Sequence, residues 1–252
     1  MKTFATTDSG LNSNRNFILD KAHSLKIQSF MMILVIATSS ISFLGLINVF
    51  LLHFYSDANH LQGIMFQYNR LFNLNLEANI PSWFSSFLML ISAFYLWIIY
   101  NSKNRESLYK KHWLYLSLIF LFLSLDEISS IHEIMNNPTR RLLHSSGIFY
   151  WSWLIPALFL LSFGAIYFIK FLFTLPKRTR NLFLFSAVVF ITGAVGFEMI
   201  GGWLYSHNLA ETMLYNIEVW IEESLELIGL PIFIYSLRDY LFTHCEIFSI
   251  KF

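Results

Sequence analysis

Six apolar runs divide the chain, near residues 30–54, 82–100, 113–135, 148–175, 182–205 and 213–242. Each is close to or above the ~20 helical residues needed to cross a ~30 Å hydrocarbon core. Such runs predict an all-α, polytopic membrane bundle of six transmembrane helices, the longer ones accommodated by tilt. Between the first two, Leu61, Ile64, Met65, Tyr68, Leu71 and Phe72 recur at helical spacing, which predicts an amphipathic segment along the interface. Pro81 and Pro138 mark breaks just outside the second and third spans, because proline cannot continue a helix at its own amide. The polar stretch 1–27 delays the first apolar run too long for a cleaved signal peptide, so that run is read as a retained span. The resulting division is a cytoplasmic tail over 1–27, a six-helix domain over 28–242 and a second cytoplasmic tail over 243–252. No internal repeat or low-complexity tract interrupts it.

Charge orients this bundle. Fourteen of the 17 basic residues fall before span one, between spans two and three, around the four-to-five turn or at the carboxyl end. Only Arg70, Arg140 and Arg141 lie on the opposite side. The positive-inside rule then places both termini in the cytoplasm, as an even number of spans requires. No basic stripe interleaved with aromatics suggests nucleic acid. The single cysteine, Cys245, excludes an internal disulfide and a cysteine-built zinc site.

Against this apolar background the acids stand out. With that orientation, Asp126, His132 and Glu133 on span three, Glu198 on span five, and Glu218, Glu222, Glu223 and Glu226 on span six all fall in the outer half of the membrane. A charge at such depth costs roughly 2.5 to 3.5 kcal/mol on insertion scales, so it is retained for a reason. At about 100° per residue, Asp126, Ser129, Ser130, His132, Glu133, Asn136 and Asn137 share one arc of a continuous span three, and Glu127 lies off it. Glu218, Glu222 and Glu226 form an i, i+4, i+8 ladder, with Glu223 at its edge. No lysine or arginine lies in the span cores to neutralise them, which leaves protons, the Arg140 and Arg141 pair, or a bound cation. Oxygen ligands with one imidazole suit zinc, iron, manganese or calcium. The Glu-x-x-His spacing of ferritin-type di-iron bundles is absent.

Simpler readings compete at each position. The span-three cluster can serve as a polar network joining helices, and Glu198 can be a lone protonated acid packed near Gly193, Gly196, Gly201 and Gly202. Glu127 and Glu223 read as bystanders, and His53, His60, His144 and His207 as solvated interfacial residues. The aromatic run Phe149-Tyr150-Trp151-Ser152-Trp153 reads as an interfacial belt.

The combination Ser124-Leu125-Asp126-Glu127 with His132-Glu133, then Trp153-Leu154-Ile155-Pro156, Glu198-Met199-Ile200-Gly201-Gly202-Trp203 and Glu222-Glu223-Ser224-Leu225-Glu226 resembles an uncharacterised family of bacterial multi-pass membrane proteins. That resemblance covers the second half of the chain and implies the bacterial inner membrane. A fainter analogy runs to the ceramidase-like membrane hydrolases, although the chain lacks their closing His-x-x-x-His pair. The expectation is a metal-dependent membrane hydrolase for a lipid-like substrate, with Asp126, Glu133 and Glu222 catalytic. Its metal ligands would come from Asp126, His132, Glu133, Glu198, Glu218, Glu222 and Glu226. The competing classes are a cation or proton-coupled transporter and a sensor or assembly subunit with a structural ion. The only partners implied are membrane lipids.

Overall fold

A computed structural model describes residues 7–55, 62–102 and 107–245, with side chains over 28–54, 63–102 and 107–245. The side chains of Lys2, Arg15, Lys21, Lys26, His60, Leu61, Lys103, Arg105 and Lys251 lie outside the described residues, as does the 246–252 part of the second tail. Two units make up the chain, Met1–Ala37 and Thr38–Phe252. The described part of the first is continuous helix; the second holds the rest of that helix and every other element.

All regular structure among the described residues is helical: α1 (Thr7–Tyr55), α2 (Gln62–Phe72), α3 (Ile80–Ser102), α4 (Lys110–Ser129), α5 (Ile131–Ile134), α6 (Asn136–Leu143), α7 (Leu154–Thr174), α8 (Lys177–Ile191), α9 (Glu198–Ser206) and α10 (Met213–His244). A 3₁₀ turn at Gly147–Phe149 precedes α7, and a π-helical stretch, Thr192–Phe197, joins α8 to α9 without a break. Five helical segments are long and apolar enough to cross a membrane: Gln28–Phe54, Ile80–Ser102, Lys110–Ser129, Leu154–Thr174 and Lys177–Ser206. The run behind the sixth expected span forms α10, whose 32 residues are long enough but carry four glutamates, Arg238 and Asp239.

The third span needs correcting. A continuous helix over 113–135 was expected, but α4 stops at Ser129 because Ser130 takes the left-handed conformation, φ 48° and ψ 40°. The Ser130 amide closes the end on the Asp126 carbonyl at 2.8 Å, a single αL residue being a common way to end a helix. The chain then turns through α5 and α6 rather than running straight on. Pro81 and Pro138 both sit in first turns, of α3 and α6, where a missing amide hydrogen costs little.

Small residues hold α3, α4, α8 and α10 together. Ser86 and Ser124 bond reciprocally across α3 and α4, each hydroxyl reaching the other's carbonyl at 2.7 and 3.0 Å, and Ser117 donates to the Ala93 carbonyl at 2.8 Å. Hydroxyls that satisfy a neighbouring backbone let helices approach where burial alone drives no association. A Cβ at Gly193 would stand 2.6 Å from the Glu222 carbonyl oxygen, and one at Gly229 would stand 2.9 Å from the Phe190 Cβ. These two glycines therefore set how closely α8 and the π stretch lie on α10. Ser42 of α1 meets Ser224 of α10 at 2.6 Å and accepts at its carbonyl from Trp220 Nε1 at 2.9 Å.

The apolar core sits at the end that holds Lys110 and Arg178. Leu96, Ile99, Trp113, Phe171, Phe183, Phe233, Leu237 and Tyr240 are buried there together. Ring centroids lie 4.9 Å apart for Trp113 and Phe171 and 4.8 Å apart for Phe183 and Phe233. The acids gather at the opposite end.

Candidate metal centre

The break after α4 builds the centre. Asp126, in the last turn of α4, accepts the His132 amide hydrogen at Oδ1 (2.8 Å) and contacts His132 Nδ1 through Oδ2 (2.9 Å). One carboxylate thus caps α5 and fixes the imidazole ring carried there. With Nδ1 engaged, Nε2 is the nitrogen presented for coordination, the arrangement in which an outer carboxylate orients a metal-ligating histidine. His132, its neighbour Glu133, and Glu77 from the connection between α2 and α3 each offer a ligand atom, all within 4.8 Å of one another. A group of two carboxylates and one imidazole can hold a divalent ion.

Glu77 is half-buried, and its Oε2 is buried without a hydrogen-bond partner. Burial pushes its carboxyl up to about 7, an effect opposed by the nearby His132 and reinforced by Glu133 and Asp126. Burial works against a charged ring at His132, but the bonded Asp126 carboxylate outweighs it and raises the imidazole above its ordinary value. The connection that carries Glu77 is fixed by asparagines. Asn79 Nδ2 donates to the Asn73 carbonyl at 2.6 Å, Asn73 Nδ2 to Asn69 Oδ1 at 3.0 Å, and the buried Asn48 of α1 to the same Asn69 oxygen at 3.1 Å.

Trp153 links this group to the glutamates of α9 and α10. Its ring lies 4.7 Å from His132, its amide donates to Asn136 Oδ1 at 3.1 Å, and its Nε1 donates to Glu198 Oε1 at 2.9 Å. The approach is set by Gly202, where a Cβ would stand 3.2 Å from Trp151 and 3.4 Å from Tyr150. The Glu198 carboxyl in turn lies against that of Glu222.

The remaining acids divide. Glu218 lies against Gly201, 5% exposed. Glu226 packs on Gly193 and is within electrostatic reach of Glu127, Glu198 and Glu77. Glu127 hydrogen-bonds Ser85 and is within electrostatic reach of Glu77, and Glu223 is within reach of Glu226, Glu127 and Glu77. The two residues read as bystanders therefore sit among the others. Arg140 is engaged elsewhere, stacked 4.1 Å from the Tyr150 ring with its guanidinium donating to the Tyr150 carbonyl.

Of the seven expected ligands, His132 and Glu133 come together, Asp126 orients His132, Glu198 pairs with Glu222, and Glu218 and Glu226 belong to the acids around that pair. Glu77 was missed. It is the one acid in the alternating polar run Asn73-x-Asn75-x-Glu77-x-Asn79, a pattern that marks an ordered connection but not its destination. Trp153 was read only as part of an aromatic belt, although it carries both the ring contact and the indole hydrogen bond. No curated protein and no solved structure matches the chain. A family described as a domain of unknown function, DUF8692, matches residues 30–240, and the chain belongs to that family.

Proposed function

We propose that the protein is a metal-dependent hydrolase embedded in the bacterial inner membrane, which cleaves a lipid-like substrate at the outer face. In this reading α10 is the sixth span and both termini are cytoplasmic. The observation that carries it is His132, fixed at its amide and at Nδ1 by Asp126 and lying within 4.8 Å of Glu77 and Glu133. A structural polar network has no need of an imidazole oriented from behind by one carboxylate and lying within reach of two more.

Glu77, His132 and Glu133 would hold the ion, and Asp126 is a positioning residue. When bound, zinc, iron, manganese or calcium supplies Lewis acidity and a water of lowered pKa. The half-buried position of Glu77 and the ring of Trp153 limit bulk water at one side of the site. Glu198, held by the indole of Trp153, and Glu222 beside it are the acid–base groups nearest the site. Transport would need a polar path to the far end, where Trp113, Phe171, Phe183, Phe233 and Tyr240 are packed ring on ring. That packing favours a site reached from one side.

The test is elemental analysis of the purified protein together with release of product from radiolabelled membrane lipid. Wild-type protein should carry stoichiometric metal and turn over, and both should be lost in Glu77→Ala and His132→Ala. Metal content unchanged in both variants would refute the site, and metal without turnover on any lipid class would refute the enzyme.

A further inference from the structure

Beside the connection that carries Glu77 lies a small cavity, bounded by α1, that connection and the start of α10. Its volume is about 10 Å³, on a measure by which one water needs ~10–15 Å³, so it admits a single hydrogen-bonding group and nothing larger. Gly45 of α1 shapes it. A Cβ there would stand 2.6 Å from Leu74 Cδ1, so the glycine lets Leu74 settle on α1 at this point.

Four of the lining residues are asparagines: Asn48 from α1, Asn73 and Asn75 from the connection, and Asn216 from α10. Part of this amide set is engaged already. Asn48 Nδ2 and Asn73 Nδ2 both donate to Asn69 Oδ1, and Asn73 Oδ1 accepts the Asn75 amide hydrogen at 3.0 Å. Among the described residues no hydrogen bond reaches Asn48 Oδ1 or the side-chain amides of Asn75 and Asn216. Asn48 is only 2% exposed, so the cavity is where its free carbonyl oxygen can find a partner. Asn75 is exposed, which opens the cavity to the surface.

The lining also selects the kind of group. It contains no charged side chain, so a phosphate or an ammonium would leave water without gaining a counter-charge. Asparagine amides both donate and accept, and a neutral hydroxyl does the same. Trp220 adds ring carbons rather than a donor, because its Nε1 is taken by the Ser42 carbonyl at 2.9 Å. Such a surface suits the carbon that bears a hydroxyl. Asn75 and Glu77 are two residues apart, at most about 7 Å along the chain. A hydroxyl seated against Asn75 is therefore within a headgroup's reach of Glu77.

We propose that this cavity binds the terminal hydroxyl of a lipid headgroup, as in a glycerol headgroup. Binding of the hydroxyl stands on the cavity alone; its role in choosing the substrate rests on the hydrolase reading. In that role the cavity favours headgroups that end in a hydroxyl over those that end in an amine, and it draws the headgroup linkage toward Glu77.

The experiment uses full-length protein reconstituted in vesicles of phosphatidylglycerol, phosphatidylpropanol and phosphatidylethanolamine in equal parts, with identical acyl chains. Phosphatidylpropanol keeps the charge and length of phosphatidylglycerol but lacks its free hydroxyls. The protein is washed in detergent down to its last-held lipid, which is identified by mass spectrometry, with metal measured on the same sample. Phosphatidylglycerol should exceed phosphatidylpropanol about fivefold, the worth of one net hydrogen bond. Asn216→Leu, which removes one of the unengaged amides, should bring the two to parity without lowering the melting temperature. If that variant does not fold, Asn75→Leu at the exposed rim carries the same expectation. Equal retention of the two lipids by the wild type would mean that water alone fills the cavity, and would overturn the inference. So would an excess of phosphatidylethanolamine over both, or a preference that survives both asparagine variants. A hydroxyl preference in protein that binds no metal would count against the hydrolase reading alone. Stoichiometric metal without the preference would count against the cavity alone.

Discussion

Replacing Gly193 by alanine tests the contact that holds α8 and the π stretch against α10. The new Cβ would stand 2.6 Å from the Glu222 carbonyl oxygen, 3.0 Å from Glu226 Cγ and 3.2 Å from Leu225 Cβ, where ordinary contact begins at 3.4 Å. The nearest obstacle is backbone, which cannot rotate away, so the helices must part locally by about 0.8 Å. Overpacking in a tight interior costs ~1–3 kcal/mol, and a rigid obstacle places this case near the upper figure. Alanine recovers ~1 kcal/mol over glycine through helix propensity. A net loss of about 2 kcal/mol, at ~2–4 °C per kcal/mol for a chain of this size, lowers the melting temperature by about 4 to 8 °C. Gly196→Ala is the control, because its Cβ would meet only Thr192 Cγ2, at 3.8 Å, within the same π stretch. Thermal unfolding of detergent-solubilised protein, followed by the surviving monodisperse fraction on size exclusion, reads both variants under one condition. If Gly193→Ala melts no lower than Gly196→Ala, the close approach is not what fixes the helix spacing.

Three other substitutions probe different links. Asp126→Asn keeps the shape of the side chain but removes the charge behind His132; metal affinity should fall about 10- to 100-fold, measured by competition with a chelating dye, and an unchanged affinity would remove Asp126 from its positioning role. Trp153→Phe deletes the donor to Glu198 while keeping a ring against His132. It should lower stability by ~1–2 kcal/mol with metal affinity within twofold, and a large loss of metal instead would mean that the indole itself shapes the ligand group. For the serine pair between α3 and α4, a double-mutant cycle with Ser86→Ala and Ser124→Ala should give a coupling of ~0.6 to 1.7 kcal/mol; strict additivity would mean that the two hydroxyls act separately.

Hydropathy makes the long helices legible because a bilayer demands an apolar run of set length, and α3, α4 and α7 follow such runs to within a few residues at most of their ends. The shared depth of Asp126, His132, Glu198 and Glu222 was legible too, since it needs only the order and direction of the spans. What escaped depends on backbone events with no distinctive sequence signal. Ser130 adopts φ 48° without being glycine, and once the helix breaks there, Asp126 and His132 meet across a turn rather than along a face. Glu77 was hidden for a related reason: its position follows from asparagine contacts that fold the α2–α3 connection back over the end of α4. For Glu127, helical phase separates it from the Asp126 arc but does not show that it bonds Ser85 and lies within electrostatic reach of Glu223 and Glu226.

The π-helical stretch between Phe190 and Glu198 has a consequence for how the acidic end can vary. A π turn holds one residue more than an α turn and often marks a functional site. Because the wide turn absorbs that residue, loss of one residue from 192–197 would restore α geometry and leave Glu198 on Glu222 and Gly201 on Glu218. Loss of one residue from a regular turn of α8 has no such slack and would rotate everything after it by about 100°, swinging Glu198 off Glu222. The stretch therefore acts as a length buffer between the packing half of this span and its chemical half: it can give up a residue without moving the carboxyl pair.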